Sequence, residues 1–221
     1  AVNCSMTLTD ALPGVASATC TLTSPAPAYA YEHSCSAVLT SGTPQNGTWS
    51  CAITFPRYSE TGTWRADFSI GAGTTAGVVA TDGLGNNARI NPGSEGFPSA
   101  VSIVSVSDFI APALTSFTVT PGAVNVSAAA QVVTCDMTLT DAKSGVDVAT
   151  CALSAPGLLQ FATCDAVAPT SGTRNNGLFS CVATIPRYAR AGTWTATVYP
   201  SDQVGNRANI PSATTLVVTA A

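Results

Sequence analysis

Cysteine, aspartate and a single histidine are the residues through which this chain could do chemistry. The eight cysteines fall as Cys4, Cys20, Cys35 and Cys51, then Cys135, Cys151, Cys164 and Cys181, four in each half at repeated spacing. Zinc sites want C-x-x-C pairs or histidine partners; no such pair occurs, and His33 is the only histidine. An even count at repeated spacing points instead to disulfides, and so to an oxidising compartment. Four cysteines allow three pairings in each half. The reading favoured is Cys4–Cys20 with Cys35–Cys51, and Cys135–Cys151 with Cys164–Cys181, the first bridge of each set joining two sheets through inward-facing positions.

The acids that recur are the second set. Asp10 and Asp141 each end a strand, as do Asp82 and Asp202, and Asn86 and Asn206 follow the latter pair four residues on. Carboxylate and amide oxygens without histidine or thiolate suit Ca²⁺ better than a transition metal. Two candidate Ca²⁺ sets follow: Asp141, Asp202 and Asn206 with Asp108 as a shared ligand from the junction, and Asp10, Asp82 and Asn86. The competing reading is local, with Asp opening an Asx-type turn and Gly-Asn supplying positive φ. Catalysis is not expected. A nucleophilic triad needs a histidine, and His33, read as a solvated loop residue, is answered by Ala162 in the other half. Paired carboxylates for glycoside hydrolysis would need a cleft, and few acids recur.

These residues sit on a duplicated frame. LTDALPGVASATCTL from Leu8 is answered by LTDAKSGVDVATCAL from Leu139, TSGTPQNGTWSCAITFPRYSETGTW (40–64) by TSGTRNNGLFSCVATIPRYARAGTW (170–194), and TDGLGNNARI (81–90) by SDQVGNRANI (201–210). Insertions fall between these blocks, the largest being GAGTTAG (71–77), as on a β-scaffold with variable loops. Only 9% of residues are charged while 46% are hydrophobic, Lys143 is the only lysine, and β-branched residues and turn formers crowd the rest, which argues for strands. A net charge of −4 with seven scattered arginines gives no basic stripe, so nucleic acid is not an expected partner. No apolar run of about 18 residues is present to span a membrane. The chain starts at Ala1, which fits a processed secreted chain or a fragment.

Period-two alternation places strands at Cys4-Met6-Leu8, Ala18-Cys20-Leu22, Trp49-Cys51-Ile53-Phe55, Trp64-Ala66-Phe68-Ile70 and Val101–Val106, with Phe179-Cys181-Ala183-Ile185 and Trp194-Ala196-Val198 echoing them. The second copy has an earlier strand, LTSFTVTP (114–121), that the first lacks, giving seven strands in a full unit. The expected fold is all-β: two tandem immunoglobulin-like antiparallel sandwiches, 1–108 and 109–221, disulfide-reinforced, the first without its opening strand. Tyr58 and Tyr188, in Pro-Arg-Tyr, are placed where a tyrosine corner would tie the turn with its hydroxyl.

The motifs D-x-x-S/P-G-V, then G-T-W after a P-x-Y corner, then D-x-x-G-N resemble tandem bacterial immunoglobulin-like or fibronectin-type-III-like modules of secreted and cell-surface proteins. The resemblance covers both copies nearly end to end, although four cysteines per module depart from the usual pattern. It implies spacing, adhesion or assembly in an extracellular or cell-surface setting, with copies of itself or adjoining modules as partners; fold alone does not choose among these. The expected function is a structural module pair of a repetitive surface protein or filament. The alternative is a carbohydrate- or ligand-binding accessory module of a larger secreted enzyme. Binding would be favoured by exposed aromatics, but Trp49, Trp64 and Trp194 sit in apolar registers and only Tyr29 and Tyr31 look loop-placed. Without its opening strand, the first copy should expose an unpaired margin from Val2 to Thr9 above an apolar groove, a template for another strand. The apolar tail 214–221 is a candidate donor, although its own module needs it.

Overall fold

The computed structural model describes residues 1–25, 31–66, 76–157 and 160–220. They form two compact units, Ala1–Ser107 and Asp108–Ala221. Asp108 therefore opens the second unit instead of closing the first. The reason is local: its carboxylate accepts the N–H of Ser144, and its carbonyl accepts the Asn206 amide.

Unit 1 contains β1 (Val2–Thr9), β2 (Val15–Thr23), β3 (Glu32–Thr43), β4 (Asn46–Ile53), β5 (Gly62–Arg65), β6 (Gly77–Asp82), β7 (Asn87–Ile90) and β8 (Ala100–Ile103). β4 lies between β1 and β3; β2 pairs β3, β5 and β6; β5 pairs β8 and β6 pairs β7, so β1 forms a sheet margin. Unit 2 contains β9 (Ala113–Thr120), β10 (Ala123–Asn125), β11 (Gln131–Thr140), β12 (Val146–Ser154), β13 (Phe161–Ala166), β14 (Ser171–Thr173), β15 (Asn176–Ile185), β16 (Gly192–Asp202) and β17 (Ile210–Thr219). Its two sheets run β14-β15-β11-β9 and β10-β17-β16-β12-β13. Seven strands were expected of the full unit. The additions are β14, which makes a short hairpin with β15, and β10, which pairs in parallel with β17 after Pro121 ends the run along β11.

Alternation builds the core. Val133, Cys135, Met137 and Leu139 of β11 face Cys151 and Leu153 of β12, with Phe179 and Ile185 of β15 and Trp194 and Val198 of β16 closing the same layer, nearly all fully buried. Each apolar side chain so enclosed contributes about 1.5–3 kcal/mol. Two of the three buried tryptophans satisfy their indole N–H, Trp64 by donating to the Glu60 carbonyl and Trp194 to that of Arg190, each at 2.9 Å.

Of the expected Trp64–Ile70 strand, Trp64 lies in β5 and Ala66 follows it, while Phe68 and Ile70 lie outside the described residues; β6 pairs with β2 from Gly77 on. On the neighbouring side, β7 and β8 stand where unit 2 has the single β17. One expectation needs revision: Tyr188 is 63% exposed, so it is not the buried anchor of a tyrosine corner. Tyr58 and Tyr188 instead sit at φ 70° and 61° as the third residues of tight turns, closed by Ser59 N–H to Pro56 and Ala189 N–H to Pro186. Arg57 and Arg187 lie over their rings at 4.6 and 4.3 Å, which helps hold a conformation that glycine ordinarily fills. The tail 214–219 lies within β17, paired to both β16 and β10, and is committed to its own module.

The disulfides are Cys4–Cys20, Cys35–Cys51, Cys135–Cys151 and Cys164–Cys181. Within the sheets Cys4 stands opposite Cys51 and Cys20 opposite Cys35, and Cys135 and Cys181 likewise oppose each other, as do Cys151 and Cys164. In unit 2 both bonds run between strands that are not ladder partners, joining β11 to β12 and β13 to β15; in unit 1 this holds for Cys4–Cys20, while Cys35–Cys51 joins β3 and β4, which pair with each other further along. Non-reducing peptide mapping should recover these four links; a Cys4–Cys51 link would overturn the arrangement. Replacing Cys164 and Cys181 by alanine opens a bridge of sequence separation 17. By the chain-entropy estimate this costs about 3 kcal/mol, to be measured by urea unfolding.

Candidate functional site

Three acids converge in unit 2. Asp108 precedes β9, Asp141 follows β11, and Asp202 ends β16; one carboxylate oxygen from each lies within 4.8 Å of the others. They are 4%, 6% and 3% exposed respectively. Turn geometry aims them. Asp141 Oδ1 accepts the N–H groups of Lys143 (3.0 Å) and Gly145 (2.7 Å), folding the D-x-x-S-G loop around it. Asp202 Oδ1 accepts from Val204 (3.0 Å) and Asn206 (2.8 Å), and its Oδ2 accepts the Asn206 side-chain amide at 2.6 Å. Asp108 Oδ1 accepts from Ile110 N–H (3.1 Å) and Oδ2 from Ser144 N–H (3.0 Å). The Asx-turn reading and the clustered-acid reading are therefore both realised, by the same residues.

Electrostatics separates the three. Burial pushes the Asp202 carboxyl above its ordinary value, outweighing the hydrogen bonds from Asn206 and Val204. Burial acts upward on Asp108 too, but the N–H groups of Ser144 and Ile110, the Ser144 hydroxyl and the charge of Lys143 together hold it below its ordinary value. Ser144 was not singled out from the sequence. It is only 8% exposed. Its Oγ lies near enough to Asp108 and Asp202 to favour both charged forms, yet is aligned for a hydrogen bond with no group among the described residues.

Asn206 takes a different part from the one expected. It presents its amide nitrogen to the acids, donating to Asp202 Oδ2 and to the Asp108 carbonyl, and so braces them. Asp82 reproduces the turn of Asp202 almost bond for bond, with Leu84 and Asn86 N–H on Oδ1 and the Asn86 amide on Oδ2, and that amide holds Asp82 low. The turn stands at the surface, however, with Asn86 exposed. Among the described residues no third carboxylate joins Asp10 and Asp82. Pro13, with neither N–H nor hydroxyl, occupies the place of Ser144.

The remaining chemical groups have structural employment. Cys135, Cys151 and Cys164 lie close enough together to hold a metal, but all are bonded in disulfides. His33 is not a loop residue. It lies in β3, stacked on Trp64 (5.2 Å, 21°) and edge-on to Phe55 (5.1 Å), and burial lowers its pKa. Trp49, Trp64 and Trp194 are buried, and Tyr31 packs on the core of unit 1; Tyr29 lies outside the described residues.

The second feature is in unit 1. An open groove of about 990 Å³ runs between β1 and segment 89–101, lined among others by Val2, Met6, Leu8, Leu22, Val78 and Val101. In unit 2, β9 fills the corresponding margin, pairing with β11 from Thr134↔Thr120 to Thr140↔Ala113. The cost of its absence is visible in the burial. Cys135 and Met137 are fully enclosed, while their counterparts Cys4 and Met6 are half-exposed.

Two sheets closed by inter-sheet disulfides, with β9, β11 and β15 in one and β12, β16 and β17 in the other, define an immunoglobulin-like β-sandwich. No family model matches the chain, and no curated protein does. Among solved structures it is similar to the extracellular portion of mouse CD200RLa, at 6% identity and a TM-score of 0.23, over 98% of this chain and 94% of that one. Among the described residues no helix is long and apolar enough to cross a membrane.

His33 supplies a pH test. Its neutral form is favoured in the fold, so its contribution is fully present above the unfolded value of 6.5 and is lost as pH falls below that toward the lowered folded pKa. Unit 1 should lose stability between pH 7 and pH 5 more steeply in wild type than in His33→Phe, which keeps the stacking. Thermal unfolding across that range checks it, and parallel curves would refute the assignment.

Proposed function

We propose that this chain is a pair of structural modules from an extracellular, repetitive surface protein or filament, and that unit 1 is completed by a β-strand supplied from outside it. The observation that carries the reading is the margin of β1. In the duplicate, the same margin is covered by β9, and the homologous register is printed in the second copy. Cys135 stands opposite Val119, Met137 opposite Phe117 and Leu139 opposite Leu114. Moved to unit 1, these positions become Cys4, Met6 and Leu8, so the incoming strand is antiparallel to β1 and carries Leu, Phe and Val at the β9 spacing. β1 bears none of the devices that shield exposed margins, with no charge and no proline in VNCSMTLT. Backbone pairing would supply affinity, and pockets for alternate side chains specificity.

The setting agrees with the rest of the molecule. Four disulfides belong to an oxidising compartment, and each unit of this size gains stability from covalent ties between small, alanine-rich faces. A carbohydrate-binding role would call for an exposed aromatic platform, and the tryptophans are spent in the cores. The D-x-x-S/P-G-V, G-T-W and D-x-x-G-N motifs, in tandem, align the chain with bacterial immunoglobulin-like module arrays, in which linear arrangement is itself the function.

A peptide with the sequence ALTSFTVT, residues 113–120, is the direct probe. Added to the full chain, it should slow hydrogen exchange of β1 amides and quench solvent access to Met6, whereas the same peptide with aspartate at its phenylalanine should do neither. Met6→Asp in the protein should abolish the effect. If β1 amides exchange freely at every peptide concentration and in self-assembled material, the reading fails.

A further inference from the structure

We infer that unit 2 binds one Ca²⁺ through Asp108, Asp141, Asp202 and the Ser144 hydroxyl, and that this ion clamps the start of the β9 segment onto the end of the sandwich. The inference is independent of whether unit 1 takes up a strand.

Charge is the first ground. Three carboxylates with oxygens within 4.8 Å of one another are each almost wholly buried. Like charges brought so close repel one another strongly in a low-dielectric site, and a cation among them would compensate that repulsion. Size is the second. Oxygens ligating Ca²⁺ at about 2.4 Å can stand at most about 4.8 Å apart, so the three fit within one coordination sphere. The donors are hard oxygens throughout, and backbone N–H groups fix each carboxylate, leaving little of the octahedral water shell that Mg²⁺ prefers to keep.

The third ground is Ser144, and it is separate from the acids. A buried hydroxyl is ordinarily hydrogen-bonded. This one is more than nine-tenths buried, is turned toward Asp108 and Asp202, and has no aligned partner among the described residues. A cation among the carboxylates would take its lone pair, with solvent completing the six to eight ligands that Ca²⁺ accepts. Lys143 and Gly145 N–H both donate to Asp141 Oδ1, so its Oδ2 is available to an ion.

Position gives the ion its consequence. Asp108 begins the segment that leads into β9, Asp141 ends β11, and Asp202 ends β16 on the opposite sheet. One ion would therefore tie the covering strand to both sheets at once. Unit 1 contains the homologues Asp10 and Asp82 but has Pro13 for Ser144 and no third acid among the described residues, so the stoichiometry should be one ion per chain and not two.

The test is Ca²⁺ titration of the full, disulfide-intact chain by calorimetry, with thermal unfolding in EDTA, CaCl₂ and MgCl₂. The expected result is one Ca²⁺ per chain at millimolar or lower concentration, a Tm that climbs with the logarithm of Ca²⁺ but not of Mg²⁺, and slower exchange of β9 amides in Ca²⁺. Asp202→Asn should lose the uptake; it removes a buried charge and keeps the Oδ1 acceptor of the turn, at the cost of the Oδ2 acceptor for the Asn206 amide. Ser144→Ala should weaken uptake measurably, and Asp82→Asn should leave it unchanged. Absence of uptake, uptake that survives Asp202→Asn, or a second equivalent removed by Asp82→Asn would each overturn the assignment. Should Asp202→Asn fail to fold, wild-type stoichiometry together with the Ser144→Ala and Asp82→Asn titrations decides the matter.

Discussion

A strand at the margin of a sheet has to find partners for its backbone N–H and C=O groups and a cover for its apolar row, and in this chain both needs fall on one segment. β9 bonds along β11 and lays Leu114, Phe117 and Val119 beside Leu139, Met137 and Cys135. With it in place the row from Val133 to Leu139 is sealed, and the core of unit 2 is a single continuous cluster. In unit 1, where no described strand lies along β1, Leu8 is buried but Val2, Cys4 and Met6 of the same row are only partly covered. The acidic cluster depends on the same segment, since its third carboxylate, Asp108, is carried in at the start of the β9 stretch. Cover and cluster are two results of one chain path.

The copies share a frame but have diverged where exposure permits it. Asp82 and Asp202 make the same turn with the same three donors, so that turn is set by D-x-x-G-N alone. One turn is exposed and the other enclosed: both receive the loop after the first aspartate, through Gly83 N–H to the Gly14 carbonyl and Gln203 N–H to that of Gly145, and in unit 2 the Asp108 segment is bonded there as well. The exchange of Ser144 for Pro13 removes a donor and a hydroxyl in one step. Beyond this turn the copies differ again, since β7 and β8 stand where unit 2 has the single β17.

Covalent ties suit this composition. Faces rich in alanine, threonine and small apolar residues bury modest area per side chain, and charged residues contribute little, at 9% of the chain. Two bridges per unit restrict the unfolded chain, and in unit 2 both join its two sheets at mid-strand, where Cys135 and Cys151 are wholly buried.

Much was legible in the residues themselves. The internal sequence repeat, the all-β class, the disulfide chemistry and the turn-forming aspartates all follow from spacing, alternation and local hydrogen bonding, which act over a few residues. Other features were not. His33 looked like a loop residue because nothing in its neighbours along the chain announces Trp64 and Phe55, which reach it only through sheet packing. The Pro-Arg-Tyr tyrosines suggested buried anchors, but a left-handed turn conformation sends Tyr188 outward. Ser144 carried no signal beyond its place in a turn. Its burial, the gathering of Asp108, Asp141 and Asp202, and the surface position of the matching Asp82 turn were decided by tertiary structure, because burial and charge proximity arise from segments distant in sequence that only the closed sandwich brings together.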